Sequence, residues 1–150
     1  MIPQERKTLP VERAHLAGIA RLETLCFGEP WSENALELLL TEMALGVTLV
    51  SEDGEVLAYG GMLLAPDEGQ ITNIAVHPDC RRKGYGRAVT EALIREAEQR
   101  GLSQISLEVR ASNEAAINLY RLLGFEVAGV RKRFYRNPSE DALVMIKTVS

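Results

Sequence analysis

The 150-residue sequence is short of the residues that build metal centres and disulfide frameworks. Its two cysteines, Cys26 and Cys80, and its two histidines, His15 and His77, form none of the close pairs that ligate zinc. No metal is expected, and the cysteines read as free thiols of a reducing cytoplasm. Aromatic residues make up only 5% of the chain, with Trp31 the single tryptophan. No apolar run approaches the roughly 18 residues of a membrane span. The opening MIPQERKTLP has no apolar signal core, so no membrane partner is expected. Positive charge is in deficit, with 17 Lys and Arg against 21 Asp and Glu. A net charge of -4 argues against a general nucleic-acid partner. Repeats, linkers and low-complexity segments are also missing. Residues 1–150 therefore read as one domain, large enough to bury roughly two-thirds of its unfolded surface.

What is present centres on Ile71 to Arg100. Ile71, Ile74 and Val76 suit a buried strand, and Pro78 ends it because it cannot donate to a ladder. The run Arg81-Arg82-Lys83-Gly84-Tyr85-Gly86-Arg87 follows. Beyond it, Ala88, Val89, Ala92, Leu93 and Ala97 recur at helical spacing, and Gly101 supplies a stop. A strand, a glycine-bearing basic loop and a helix start make an anion cradle. First-turn N–H groups are unpaired, the helix dipole adds positive charge, and glycine lets backbone approach a ligand. The loop lacks the Lys-Ser/Thr ending of a P-loop and is not G-x-G-x-x-G. A capped surface turn with a solvated charge run satisfies the same residues.

Along the rest of the chain, Ile2–Leu9 reads as an edge strand and Pro10–Cys26 as a helix. After the turn 28–31, Ser32 caps a Leu-rich helix running to Ala44. Trp31 suits core packing or ligand contact. Strands at Val47–Glu52 and Val56–Leu64 flank Asp53-Gly54, a hairpin signal, and lead through a second turn to a strand at 70–76. The long helix then crosses over to Ile105–Val109, which should run parallel to 70–76. Ser112 or Asn113 caps a short helix, Ala115–Leu123, which Gly124 ends. Phe125–Val130 is a strand, Arg131–Asp141 a polar loop and Ala142–Val149 a last strand. About seven strands and four helices predict an α+β domain of mixed α/β layers.

Four blocks carry a family resemblance: Asn73-Ile74-Ala75-Val76-His77-Pro78, the loop Arg82–Arg87, Leu107-Glu108-Val109-Arg110, and Asn113–Tyr120 with Leu123-Gly124-Phe125. In this order they resemble the GCN5-related N-acetyltransferases over nearly the whole chain. The segments 107–113, Pro30-Trp31-Ser32 and Arg131–Met145 are similar to the branch that acetylates ribosomal-protein N-terminal alanines. The resemblance implies the fold of that family, about seven strands in a mixed sheet flanked by four helices. It implies acetyl-CoA as co-substrate and a protein N-terminal α-amine as acceptor, with the N-terminal alanine of small-subunit ribosomal protein eighteen as the natural target. The pantetheine arm would lie between the splayed strands and pair with backbone at Ile74, Ala75 and Val76. The pyrophosphate would sit over Arg82, Lys83, Gly84, Tyr85, Gly86 and Arg87, and Asn113 would also touch the cofactor. One departure is Cys80, where that branch often carries an aromatic residue.

For the chemistry, the resemblance puts Glu108 as the base that takes a proton from the amine and Tyr120 as the acid that gives one to the departing thiolate. An α-amine has a pKa of about 8, so a base is needed near neutral pH. Strand alternation sends Leu107 and Val109 to one face and leaves Glu108 standing out of the other, among apolar neighbours. A backbone N–H near 74–76 would stabilise the oxyanion. Without the resemblance, Glu108 reads as a solvated strand glutamate and Tyr120 as a core tyrosine. Tyr85, Tyr135, Arg131, Arg133 and Arg136 are expected to shape the acceptor groove. The alternatives are a lysine or small-molecule amine as acceptor, and a non-catalytic acetyl-CoA-binding module.

Overall fold

The structure, a computed structural model, describes residues 7–136 and 138–149. One mixed sheet runs through it, in the order β1-β2-β3-β4-β5-β7-β6. Its strands are β1 (Thr8–Pro10), β2 (Ala44–Val50), β3 (Val56–Leu64), β4 (Glu68–Val76), β5 (Gln104–Arg110), β6 (Glu126–Tyr135) and β7 (Glu140–Thr148). The helices are α1 (Leu16–Cys26), α2 (Glu33–Leu36), α3 (Tyr85–Gln99) and α4 (Glu114–Leu122). This is the expected seven-stranded, four-helix α+β architecture. None of these helices is long and apolar enough to cross a membrane.

Strands β1 to β4 form an antiparallel meander. Gly54, at φ 88°, takes the left-handed turn position between β2 and β3 that other residues avoid. Helix α3 then crosses over, so that β5 lies parallel to β4, as strand–helix–strand order requires. Strands β7 and β6 complete the sheet antiparallel.

Two cores cover the two faces. On one, Leu16, Ile19 and Leu22 of α1 and Leu36 of α2 pack on Val56, Tyr59 and Ala75. On the other, Val89, Leu93 and Ala97 of α3 pack on Ile71, Ile105 and Leu107, with Tyr120 and Phe125 extending that layer. Buried and half-buried residues alternate along β5, so Ile105, Leu107 and Val109 face α3 while Glu108 faces the α1 side.

Local boundaries differ from expectation in four places. Residues 2–6 of the expected first strand lie outside the described residues, and β1 begins at Thr8. The helix expected from Pro10 starts at Leu16, after a 3-10 turn at Arg13–His15. The second helix stops at Leu40 rather than Ala44. Its last turn, Glu37–Leu40, tightens to 3-10, and the Thr41 hydroxyl and N–H both donate to the Leu38 carbonyl. Ala44 then pairs with Leu63, so sheet pairing overrides the helical run of leucines. Finally, most of the expected loop 131–141 is strand. Strand β6 is the sheet edge and is exposed along almost its whole length, so polar residues occupy it without an alternating apolar signal.

Candidate active site

The site begins where β4 and β5 part. Their parallel pairing runs only from Glu68–Gln104 to Ile71–Leu107. Across β3 the register shifts at the same level, with Gly61 opposite Asn73 and Met62 opposite Ile71, so Thr72 is the extra residue of a β-bulge. Past the bulge β4 has no pairing with β5, and Thr72, Asn73 and Ile74 face the gap. Into this gap opens a groove of about 460 Å³. Gln70, Thr72, Asn73 and Ile74 of β4 line it, with Glu108, Val109 and Arg110 of β5. The loop after α1 contributes Phe27, Gly28, Glu29 and Trp31, and the β6–β7 hairpin contributes Phe134, Tyr135 and Arg136. Asn113, Ala116 and Tyr120 line it from the start and body of α4. The groove thus joins the α1 face of the sheet to the α4 face through the splay.

Of the expected catalytic and cofactor residues, Ile74, Glu108, Asn113 and Tyr120 meet here, and of the expected acceptor-groove residues, Tyr135 and Arg136 join them. Glu108 is not alone among apolar groups, as its strand neighbours suggested. Its side chain is only 14% exposed, and Arg131 Nε lies 2.8 Å from Oε2. The Gln70 side-chain amide donates to Oε1 at 3.3 Å. Arg131 reaches it from two strands away, across Ala142, which pairs with both Arg131 and Arg110. Strand alternation predicts the face of Glu108 correctly but is blind to this long-range partner.

Tyr120 is buried, with its ring edge-on to Phe125 at 5.8 Å between centroids. Burial, and secondarily Tyr135, push its phenol up to about 12, so it keeps its proton at neutral pH. Tyr135 is pushed in the same direction by burial and by the Glu108 carboxylate, against the opposing charge of Arg110. The guanidinium of Arg110 lies 4.4 Å from the Tyr135 ring centroid and donates to the carbonyls of Arg136 and Pro138, each at 3.0 Å. Glu140 completes this clasp, accepting from Arg110 and, at 2.6 Å, from the Ser112 N–H. Those bonds, Ser112 first, hold the Glu140 carboxyl below its ordinary range. The hairpin is therefore fixed over the end of β5. Of the basic residues expected to shape the groove, Arg136 lines it. Arg131 binds Glu108 instead, and Arg133 sits at φ 52° in an irregular stretch of β6, with its N–H on Asp141.

The loop residues 82–87 lie outside the groove lining, at the start of α3. Gly84 caps the helix at φ 82°, and Arg82 is also left-handed at φ 66°. Arg82, Lys83 and Arg87 are exposed, and the first-turn N–H groups open beside them. A Cβ on Gly86 would meet only Val76, at 3.5 Å, so protein packing leaves the space over this helix start free. These residues fit a pyrophosphate. Tyr85 does not reach the acceptor groove: its ring is buried in the α3 core, and only its backbone remains at the helix start. Val76 and Ala75 do not line the groove either. Ala75 is buried on the α1 face, and the Val76 carbonyl already accepts from Cys26 Sγ and Arg81 Nε, both at 3.4 Å. Asn113 uses its side-chain oxygen to cap α4 at the Ala116 N–H.

Sequence reasoning missed Glu23, Asn73, Gln70, Phe134 and Arg110 as site residues. Glu23 is the largest omission: a carboxylate with no exposed surface, in contact with two groove residues. The only signal for it is a charged residue one position after Leu22 on the apolar face of α1, a place where charge is costly.

With this geometry in hand, similarity to known proteins is extensive. The family model described as acetyltransferase (GNAT) family matches residues 16–125. The [ribosomal protein bS18]-alanine N-acetyltransferase of Escherichia coli K12 is 39% identical over 142 residues, covering 93% of this chain and 95% of that protein. The protein of the same name from Haemophilus influenzae is 33% identical over 119 residues, covering 77% and 80%. The crystal structure of the ribosomal-protein-S18-alanine N-acetyltransferase from Escherichia coli superposes with a TM-score of 0.89 at 37% identity, covering 97% of this chain and 94% of that one. The NatC complex bound to Gag peptide and CoA, at 22% identity and a TM-score of 0.86, shares the fold. A match spanning the first helix, the splayed strands, the glycine loop and the short fourth helix settles the family: the chain belongs to the GNAT acetyltransferases.

Proposed function

We propose that this chain transfers the acetyl group of acetyl-CoA to a protein N-terminal α-amine, with the N-terminal alanine of ribosomal protein bS18 as its natural acceptor. The observation that carries this reading is the groove through the splay of β4 and β5, with Glu108 on one face and Tyr120 on the other. The acceptor of the similar enzymes supports the choice of amine. Acetyl-CoA supplies an activated thioester. Its pyrophosphate fits the start of α3 at residues 82–87, and its pantetheine arm fits the free backbone edge of β4 near Ile74. Asn113 bounds the same end of the groove.

The acceptor enters from the α1 face, between the loop bearing Trp31 and the hairpin bearing Tyr135. An N-terminal ammonium is drawn to Glu108, whose carboxylate already attracts a cation in Arg131. The ammonium first gives one proton to Glu108, directly or through water, and Glu108 passes it to solvent. The lone pair of the neutral amine then forms the C–N bond, and Glu108 takes the second N–H proton as the tetrahedral intermediate collapses and the C–S bond breaks. A free backbone N–H of 74–76 faces the developing oxyanion. Tyr120 gives its proton to the leaving sulfur. Because burial makes its phenol a weaker acid, Tyr120 acts as much by hydrogen-bonding the developing charge as by completing the transfer.

The test is a thiol-release assay with acetyl-CoA and short peptides. One begins with Ala-Arg, one with Ser, one with Met, and one has a blocked N-terminus and an internal lysine; mass spectrometry locates the acetyl group. Acetylation of the free alanine peptide and not of the blocked one is expected. Transfer to lysine alone would replace the acceptor and keep the fold and donor. Acetyl-CoA binding without transfer to any amine would replace the enzyme reading with a binding module.

A further inference from the structure

The one charged side chain of α1 that is wholly inside the protein has no part in the chemistry proposed above. Glu23 has 0% exposure. Its Oε1 accepts the Trp31 backbone N–H at 2.9 Å. Its Oε2 accepts the Asn73 side-chain amide at 2.7 Å and a short bond from the Tyr59 hydroxyl. The same Asn73 amide also approaches the Tyr59 oxygen at 3.3 Å. Three separate elements therefore converge on one carboxylate: the loop after α1, β3 and β4.

Burying a carboxylate is costly unless it is fully hydrogen-bonded, and a leucine on α1 would pack this face without that cost. What the carboxylate does that a leucine cannot is hold two groove walls at a fixed separation. Trp31 belongs to the mobile class of elements, a loop, while Asn73 sits in the stretch of β4 just past the bulge that has left β5. Neither wall has a sheet partner on the groove side. Short, charge-assisted bonds from both to one rigid helix residue fix them against each other.

We infer that Glu23 is a positioning residue for the acceptor: its buried carboxylate ties the Trp31 loop to β4 at Asn73 and so sets the width of the groove that receives the acceptor amine. This rests on the acceptor entering from the α1 face. The donor side is not held by these bonds: the network's hydrogen bonds join Glu23, Trp31, Tyr59 and Asn73, and none of them is made by Ile74 or by the start of α3. Tyr59 is the brace behind it: burial together with the Glu23 charge holds its phenol far above the ordinary value, so it keeps its proton and donates it to Glu23 while its oxygen accepts from Asn73.

The test compares Glu23→Gln, Tyr59→Phe and Asn73→Ala with the parent. Steady-state kinetics are taken for both substrates, and acrylamide quenching of the single tryptophan, Trp31, reports on the loop. Losing one charge-assisted bond should raise the acceptor KM about tenfold, with acetyl-CoA KM unchanged and kcat reduced far less. Quenching of Trp31 should rise in the folded variants, and discrimination between Ala and larger first residues should narrow. If Glu23→Gln does not fold, Asn73→Ala, which removes one donor from a half-buried site, carries the same comparison. An unchanged acceptor KM and unchanged quenching, with only a lower Tm, would make the network purely structural and overturn the inference. An equal rise in both KM values would do the same. If the parent acetylates a lysine or a small amine instead of a peptide N-terminus, the substrate reading fails while the same KM comparison, run with that amine, still decides the role of Glu23.

Discussion

The start of α3 and the acceptor groove are built in opposite ways. The helix start takes all its parts from one stretch, residues 81–87: two left-handed residues, exposed cations and first-turn N–H groups. The groove takes Glu23 and Trp31 from the first helix and its loop, Asn73 from β4, Glu108 from β5, Tyr120 from α4 and Tyr135 from the last hairpin. A local device works wherever the chain can place a helix. A distributed one works only if every element arrives, so its residues are held by long-range bonds such as Arg110 to the carbonyls of Arg136 and Pro138 and Arg131 to Glu108. The donor side should therefore tolerate changes elsewhere in the fold, and the acceptor side should not.

The largest expected effects break the chemistry on either side of the sheet. Glu108→Gln should lower kcat by at least about 10²-fold, the usual weight of a general base. Measured by rapid quench at saturating substrates, a rate equal to the parent's removes Glu108 from the reaction. Tyr120→Phe should lower kcat by a similar factor of about 10² with acetyl-CoA affinity preserved. Isothermal titration against turnover separates these two quantities.

Next in size is a test of the helix start alone. Gly86→Ala adds a methyl group that meets nothing in the protein closer than Val76 at 3.5 Å. Its Tm should hold or rise slightly, while the acetyl-CoA KM should climb by about tenfold as the methyl fills the approach to the backbone. Retained affinity would move the pyrophosphate elsewhere. Conversely, Arg110→Lys keeps the charge but loses the fork that grips two carbonyls and stacks on Tyr135. The acceptor KM should rise roughly fivefold with the donor KM constant. Parallel changes in both would erase the distinction between the two sides.

The smallest effect is on stability at high pH. Tyr120, raised from 10.0 to about 12, and Tyr59, raised further, keep protons in the folded chain that the unfolded chain releases above pH 10. Stability from these groups is whole below pH 10 and falls as pH climbs towards 12. Urea midpoints at pH 9 and 11 should show the drop, and Tyr59→Phe should make it shallower.

These contrasts also explain what was legible in the residues. The Arg81–Arg87 loop, the hairpin at Asp53-Gly54, the crossover from β4 to β5 and the outward face of Glu108 all follow from glycine placement and periodicity, which act over a few residues. The extent of β6 was not legible, because an exposed edge strand needs no apolar alternation. Nor was the end of the second helix, where pairing of Ala44 with Leu63 outweighs local preference.

By itself, then, the sequence determines the order of elements, the parallel crossover and a basic, glycine-bearing helix start, because each depends on neighbours in the chain. Only the tertiary structure decides that β4 leaves β5 after Ile71, that Arg131 reaches Glu108 across a whole strand, and that Glu23, Tyr59 and Asn73 meet inside the fold. Those contacts span tens of residues, and their free energy comes from burial and hydrogen bonds that exist only once the two faces of the sheet are covered.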